Sequence, residues 1–158
     1  MGFGEAILTC YRKYADFTGR ARRSEYWFFA LFEGAAAALF VFAYMQISFG
    51  PMADMRLGDP NYHPPQFDPT SLLVLSAAAL VFLAANLLPS LAVSVRRLHD
   101  LDFSGWWLLL FFVLGILPLI GIFSSLLQFI WFSMAGTRGD NRYGPDPKGQ
   151  RDRVLPTL

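Results

Sequence analysis

Cysteine is almost absent from this chain. Of 158 residues only Cys10 carries a thiol, which excludes an intrachain disulfide framework. Histidine is nearly as scarce, with His63 and His99 alone, and Cys10 has no CxxC or CxxH partner, so zinc-ligand spacing is missing. No P-loop, dinucleotide fingerprint, GxSxG elbow or HExxH string occurs. Charge is thin as well: thirteen Lys and Arg face twelve Asp and Glu, 16% of the chain. With no basic patch on a soluble module, nucleic-acid binding is excluded. A cleavable leader is not expected, because Glu5, Arg12, Lys13, Asp16, Arg20, Arg22, Arg23 and Glu25 leave no apolar h-region near the N-terminus.

What the chain has instead is apolar sequence in blocks. Gly34–Ala53, Pro69–Val95 and Phe103–Thr137 contain no charged residue. About 20 apolar residues cross a bilayer core, so these blocks read as membrane segments. The expected architecture is an all-α, polytopic integral membrane helix bundle. It forms one domain over residues 1–147, with 148–158 as a flexible tail. Residues 3–18 have helical periodicity, with Phe3, Ile7, Tyr11, Tyr14 and Thr18 on one face, which predicts an amphipathic helix in the membrane interface. Spans are expected at 26–49, opened by Tyr26 and Trp27 at headgroup depth, and at 72–95, where Pro89 should kink the helix. Five prolines between Gly50 and Thr70 predict an irregular loop. The stretch Trp106–Met134 has 29 residues, long for one crossing and short for two. Gly115, Pro118 and Gly121 predict that it breaks into a short hairpin or re-entrant pair, 106–117 and 119–134.

The cations set the expected topology. Lys and Arg number five before the first span, one in the proline-rich loop, two at 96–97 and five in the tail. The positive-inside rule therefore puts the N-terminus and the 96–105 loop in the cytoplasm and the proline-rich loop outside. A hairpin in the third block keeps the C-terminus cytoplasmic too, whereas a single crossing would export it.

Polar groups inside or beside these blocks are the candidate site residues. Glu33 lies about 10 Å along the first span. A charge at mid-bilayer costs about 2.5–3.5 kcal/mol and less near the edge, so Glu33 needs a partner or a proton. Asn86, Ser90 and Ser94 recur at i, i+4 and i+8 on one face of the second span. With Glu33 they form a candidate intramembrane polar site, although a helix-packing seam is the commoner explanation of such a stripe. The run Arg96-Arg97-Leu98-His99-Asp100 closes that span. Arg96 and Asp100 have helical-pair spacing, and the arginines can reach lipid phosphates. His99 beside Asp100 or Asp102 is the one arrangement suited to proton transfer, and it lacks a nucleophile. No catalytic, cofactor-binding or metal residue is assigned.

Three phrases then stand together: Phe17-Thr18-Gly19-Arg20-Ala21-Arg22-Arg23-Ser24-Glu25-Tyr26-Trp27; Arg96-Arg97-Leu98-His99-Asp100 with Ser104-Gly105-Trp106-Trp107; and Gly139-Asp140-Asn141-Arg142-Tyr143-Gly144-Pro145-Asp146-Pro147. In this order they resemble the YhaH-like bacterial inner-membrane family, a domain of unknown function (number 805), from about residue 3 to Pro147. The resemblance implies a multi-pass inner-membrane protein and no established activity. The long proline-rich loop and Glu33 depart from the family pattern, and the second counts against a family-wide proton relay.

All three phrases are expected at one membrane face with complementary charge. Arg20, Arg22 and Arg23 have Asp100, Asp102, Asp140 and Asp146 as candidate partners, and Arg96, Arg97 and Arg142 have Glu25. With His99 and Asn141 these residues make a candidate cytoplasmic cap, with headgroup contacts. The reading favoured is a non-enzymatic membrane adaptor or assembly module. Its partners would be membrane lipids, a second copy of the chain or another membrane protein. A small oligomeric transporter or channel using Glu33 and the Asn86/Ser90/Ser94 stripe is the alternative. A lipid-modifying enzyme built on His99 is a third.

Overall fold

In a computed structural model, which describes residues 1–53 and 69–149, the chain is helical, with no strand among the described residues. Its helices are α1 (Phe3–Arg12), α2 (Arg23–Ala53), α3 (Pro69–Asp100), α4 (Trp106–Gly115) and α5 (Pro118–Ser133). The proline-rich loop with His63, and the tail beyond Gly149, lie outside the described residues. Two helices are long and apolar enough to cross a bilayer, over Arg23–Phe49 and Pro69–Asp100. Both begin earlier than the sequence pattern suggested. The second also continues past Val95, because its last turn is buried among protein groups.

The described residues form two compact units, one from Met1–Ala30 and Leu87–Leu158, the other from Leu31–Asn86. In the second unit, Phe82 of α3 meets the rings of Phe32 and Phe40 of α2 at 6.1 and 5.7 Å. Large apolar side chains around them, such as Leu39, Leu73 and Val81, are exposed. Pro89 lies buried inside α3, and the helix carries on through it.

In the first unit, α4 and α5 pack antiparallel as a hairpin. Gly121 approaches Gly115 so closely that an added Cβ would stand 2.7 Å from the Gly115 carbonyl oxygen. One level away, Ser124 Oγ donates to Phe111 O at 3.2 Å. Farther still, Trp131 packs edge-on against Trp107 and stacks on Phe103. Pro118 opens α5, where its missing N–H costs nothing.

The N-terminal helix differs from expectation. It ends at Arg12, not near residue 18, and buries the small residues Ala6 and Cys10 while Phe3, Leu8, Tyr11 and Tyr14 stay exposed. Asp16 explains the early stop. Its Oδ1 accepts from both the N–H and the hydroxyl of Thr18, at 3.0 and 2.6 Å, and this local turn competes with another helical turn. Gly19 then takes φ +76°, which a glycine adopts without strain.

Candidate functional site

A helix ends with carbonyls that have no partner within it. The end of α3 shows where they go. Leu98 O accepts from Phe103 N at 3.0 Å, and just before the last four carbonyls Arg96 O takes an added bond from Ala21 N at 3.0 Å. His99 O accepts from Asp102 N at 3.0 Å and from Asn141 Nδ2 at 2.9 Å. Asp100 O accepts from Thr137 N at 2.8 Å. Asp102 sits at φ +63°, and the bonds from Asp102 and Phe103 close the helix as a Schellman turn with aspartate in the usual glycine place. Residues from all three sequence phrases thus converge on one helix terminus.

The arginines do the same for other carbonyls. Arg96 Nη1 donates to Lys13 O (3.3 Å) and Asp16 O (2.5 Å), and its Nη2 pairs with Glu25 Oε1 at 3.0 Å. Arg97 holds Phe132 O through Nε at 3.1 Å, Met134 O through Nη2, and the Asp100 carboxylate through Nη1. Arg20 completes the group, with Nε on Asp100 Oδ1 (2.9 Å), Nη1 on Gly139 O and Nη2 on Thr137 O, both at 2.6 Å. Arg96 and Arg97 have no accessible surface, and Arg20 and Asp100 are nearly as enclosed. Gly136 is shaped by this cluster, since a Cβ there would collide with the Asp100 carboxylate.

Several expected pairings come out differently. Asp100 is bridged by Arg97, three residues away, and not by Arg96, because Arg96 is spent on Glu25 and two carbonyls. Arg97 and Arg142 do not use Glu25; Arg142 pairs with Asp102 at 3.1 Å on the surface. Arg22 and Arg23 bond the carbonyls of Pro147 and Ser133 and take no carboxylate partner among the described residues. Asp140 accepts from Asp146 N at 3.0 Å. The headgroup contacts expected of Arg20, Arg96 and Arg97 are closed off by the chain itself.

His99 is half-buried, lying flat against Tyr143 with ring centres 3.9 Å apart. Its Nδ1 stands 3.2 Å from Gly19 O. A carbonyl only accepts, so Nδ1 carries the proton and Nε2 is the acceptor of the neutral ring. The expected relay through a carboxylate is not formed, because Asp100 is held by Arg20 and Arg97 and Asp102 by Arg142. In α3, Asn86 is buried and donates back to Phe82 O at 2.8 Å, and Ser90 and Ser94 are half-buried; Glu33, in α2, is half-buried as well. Among the described residues, no group of three His, Cys, Asp or Glu could hold a metal ion. The cluster can bind segments of chain together with charge-assisted hydrogen bonds. Sequence reasoning missed Gly136, Thr137 and the accepting carbonyls of Phe132 and Met134. Only Gly136 itself, near the end of the last uncharged block, hinted at them.

The profile of the family described as "Protein of unknown function (DUF805)" matches residues 14–145. Inner membrane protein YhaI of Escherichia coli (strain K12) is 38% identical over 141 residues, which cover 89% of this chain and 93% of that one. Inner membrane protein YhaH of the same strain is 38% identical over 141 residues, covering 89% and 94%. No solved structure matches.

Proposed function

This chain belongs to the DUF805 family of proteins of unknown function, and from that premise we propose that it is a non-enzymatic inner-membrane adaptor or assembly module whose arginine cap faces the cytoplasm. Its relatives are named inner membrane proteins, and two of its own helices are long and apolar enough to cross. The observation that carries the reading is the state of the cap. Arg20, Arg96 and Arg97 are buried and donate to the chain's own carbonyls and carboxylates, so the most ornate part of the sequence builds a rigid platform. A reacting centre would instead keep a nucleophile or base turned toward a substrate. The α4–α5 hairpin enters from the same side and returns to it, which leaves the cations before α2, after α3 and after α5 on one face.

Cysteine accessibility tests the topology. In a Cys10→Ser background, Arg138→Cys and Lys148→Cys should react with a membrane-impermeant maleimide only after the cells are lysed. Labelling of intact spheroplasts would overturn the cytoplasmic cap. In-cell cross-linking in native membranes tests the adaptor role, which requires one reproducible protein neighbour; its absence across independent preparations ends that role. The transporter alternative rests on Glu33 and the Asn86/Ser90/Ser94 stripe, where Asn86 is buried and its Nδ2 donates to Phe82 O. Liposome flux that depends on Glu33 would favour it.

A further inference from the structure

A groove of about 1170 Å3 runs between the C-terminal half of α3 and the α4–α5 hairpin, wholly within the first unit. That size exceeds the usual range for a small-molecule site, about 300–1,000 Å3. Leu87, Leu91 and Val95 line it from α3, at the spacing that puts them on one helical stripe. Leu109, Phe112 and Ile116 line it from α4. Gly105 holds the two helices in contact at the cap end, where a Cβ would stand 2.8 Å from Val95 Cγ1.

The groove is graded along its length. At the cap end its wall carries Phe17, His99 and Ser104, with Gln128 near the level of Leu108; toward Leu87 and Ile116 it is apolar. Ser125, between them, returns its hydroxyl to Gly121 O at 2.8 Å. From Leu87 to His99 the wall spans about 18 Å of helix, close to one leaflet of a hydrocarbon core about 30 Å thick. Ser104 Oγ accepts from Trp106 N at 3.4 Å, which leaves its O–H to donate. Arg142 stands beside this end, its Nε paired with Asp102 Oδ1 at 3.1 Å, its Nη2 on Asp102 O and its Cζ 4.9 Å from the centre of the Tyr143 ring that stacks on His99. Its side chain is 60% exposed, with Nη1 open to a further acceptor. Trp106, 77% exposed, marks the same depth as an interfacial ring.

We propose that this groove binds one glycerophospholipid of the cap-side leaflet, with an acyl chain between α3 and α4, an ester carbonyl at Ser104 and the phosphate at Arg142. The assignment rests on the membrane-embedded part of the reading above and goes beyond it by naming the occupant. An apolar slot alone would suit any greasy partner. The hydroxyl donor and the exposed cation at one end, above an apolar floor one leaflet deep, match the order of groups in a phospholipid.

The probe is a phosphatidylglycerol with a photoactivatable diazirine in one acyl chain, mixed into phosphatidylethanolamine vesicles that hold the full chain. Labelling should concentrate on the peptides carrying Leu87–Val95 and Leu108–Ile116. It should fall several-fold in Leu91→Trp and in Leu109→Trp, each of which fills the groove, and stay unchanged in Leu88→Trp, outside the lining. Arg142→Gln should lower the labelling while leaving the cap folded. Label spread evenly over the apolar faces of α2 and α5, or indifferent to both filling variants, overturns the site. So does a Phe112→Cys variant that cross-links two copies through the groove. Release of the wild-type chain from vesicles by alkaline wash would instead sink the membrane reading itself, a result read before any labelling.

Discussion

The two ends of α3 are built on opposite rules. Toward Asp100 the helix buries Arg96, Arg97 and Asp100 beside Ala92 and Val93; toward Pro69 it exposes Leu73, Val74, Leu80 and Val81, each by more than 60%. In water that pattern would be inverted, since apolar surface gains about 25 cal/mol per Å2 on burial and a charge loses solvation. The difference shows what each end treats as solvent. Hydrocarbon tolerates leucine on the outside and demands nothing of it. Charged groups leaving water tolerate only a nearly complete set of partners, and the cap provides them from backbone carbonyls.

The largest effect should come from breaking the charged end. Asp100→Ala leaves the guanidiniums of Arg20 and Arg97 buried without their carboxylate. Removing one partner of such a cluster costs about 3–5 kcal/mol. Thermal unfolding in detergent micelles, followed by circular dichroism, should show a large drop, with Asp100→Asn in between because it keeps the shape. Unchanged melting of the alanine variant would mean the cap does not hold the fold. The apolar end should fail differently. Leu83, 64% exposed, lies about 21 Å along α3 from its start, near mid-span. Leu83→Lys should cost about 2.5–3.5 kcal/mol of insertion, read as lost membrane-integrated protein. An aqueous face would accept that lysine without penalty, so full integration would break the contrast.

Glycines sharpen the same comparison at smaller scale. Gly136→Ala must push the Asp100 carboxylate off its arginines, a local overpacking worth about 1–3 kcal/mol. Gly34, inside α2, has nothing within 4 Å of an added Cβ. Gly34→Ala should be neutral or stabilise the helix by up to about 1 kcal/mol. Equal melting shifts for the two variants would deny that the cap is the tightly packed end.

The apolar end was legible in the sequence and the charged end only half so. Uncharged runs announce helices for a membrane because the solvent itself reads them, and Gly115 with Pro118 marks the hairpin break through backbone chemistry. The three charged phrases pointed to one assembly because opposite charges needed each other. Which arginine takes which partner was not legible. Spacing favours Arg96 with Asp100, yet Arg97 makes that bond, since Arg96 is drawn to the carbonyls left open where α1 stops early. Those acceptors belong to the backbone and look alike at every position of a sequence. The short α1 has the same origin: the periodic aromatics suggested a longer helix, and one aspartate side chain ended it.

The smallest effect separates the buried part of the cap from its exposed rim. Asp146 Oδ1 accepts from Lys148 N at 2.8 Å and Oδ2 from Gly139 N at 3.1 Å. These bonds, the one from Lys148 first, hold its carboxyl below the usual carboxylate range. A carboxyl shifted downward by folding adds stability that is complete above its unfolded pKa, about 3.9, and is lost as pH falls through the lowered value. The loop 139–149 should therefore behave uniformly from about pH 5 to 8 and loosen only below about pH 4. Asp146→Asn should bring that loosening to neutral pH. Hydrogen exchange on peptides covering 139–149, in nanodiscs, reads it directly, and wild-type protection in the variant at neutral pH would show that the loop closes without the carboxylate. The group is exposed, so the expected change stays local. Peptides around Arg96 and Arg97 should keep their protection in the Asp146→Asn variant at neutral pH, because these arginines are held by Glu25, Asp100 and backbone carbonyls and not by Asp146.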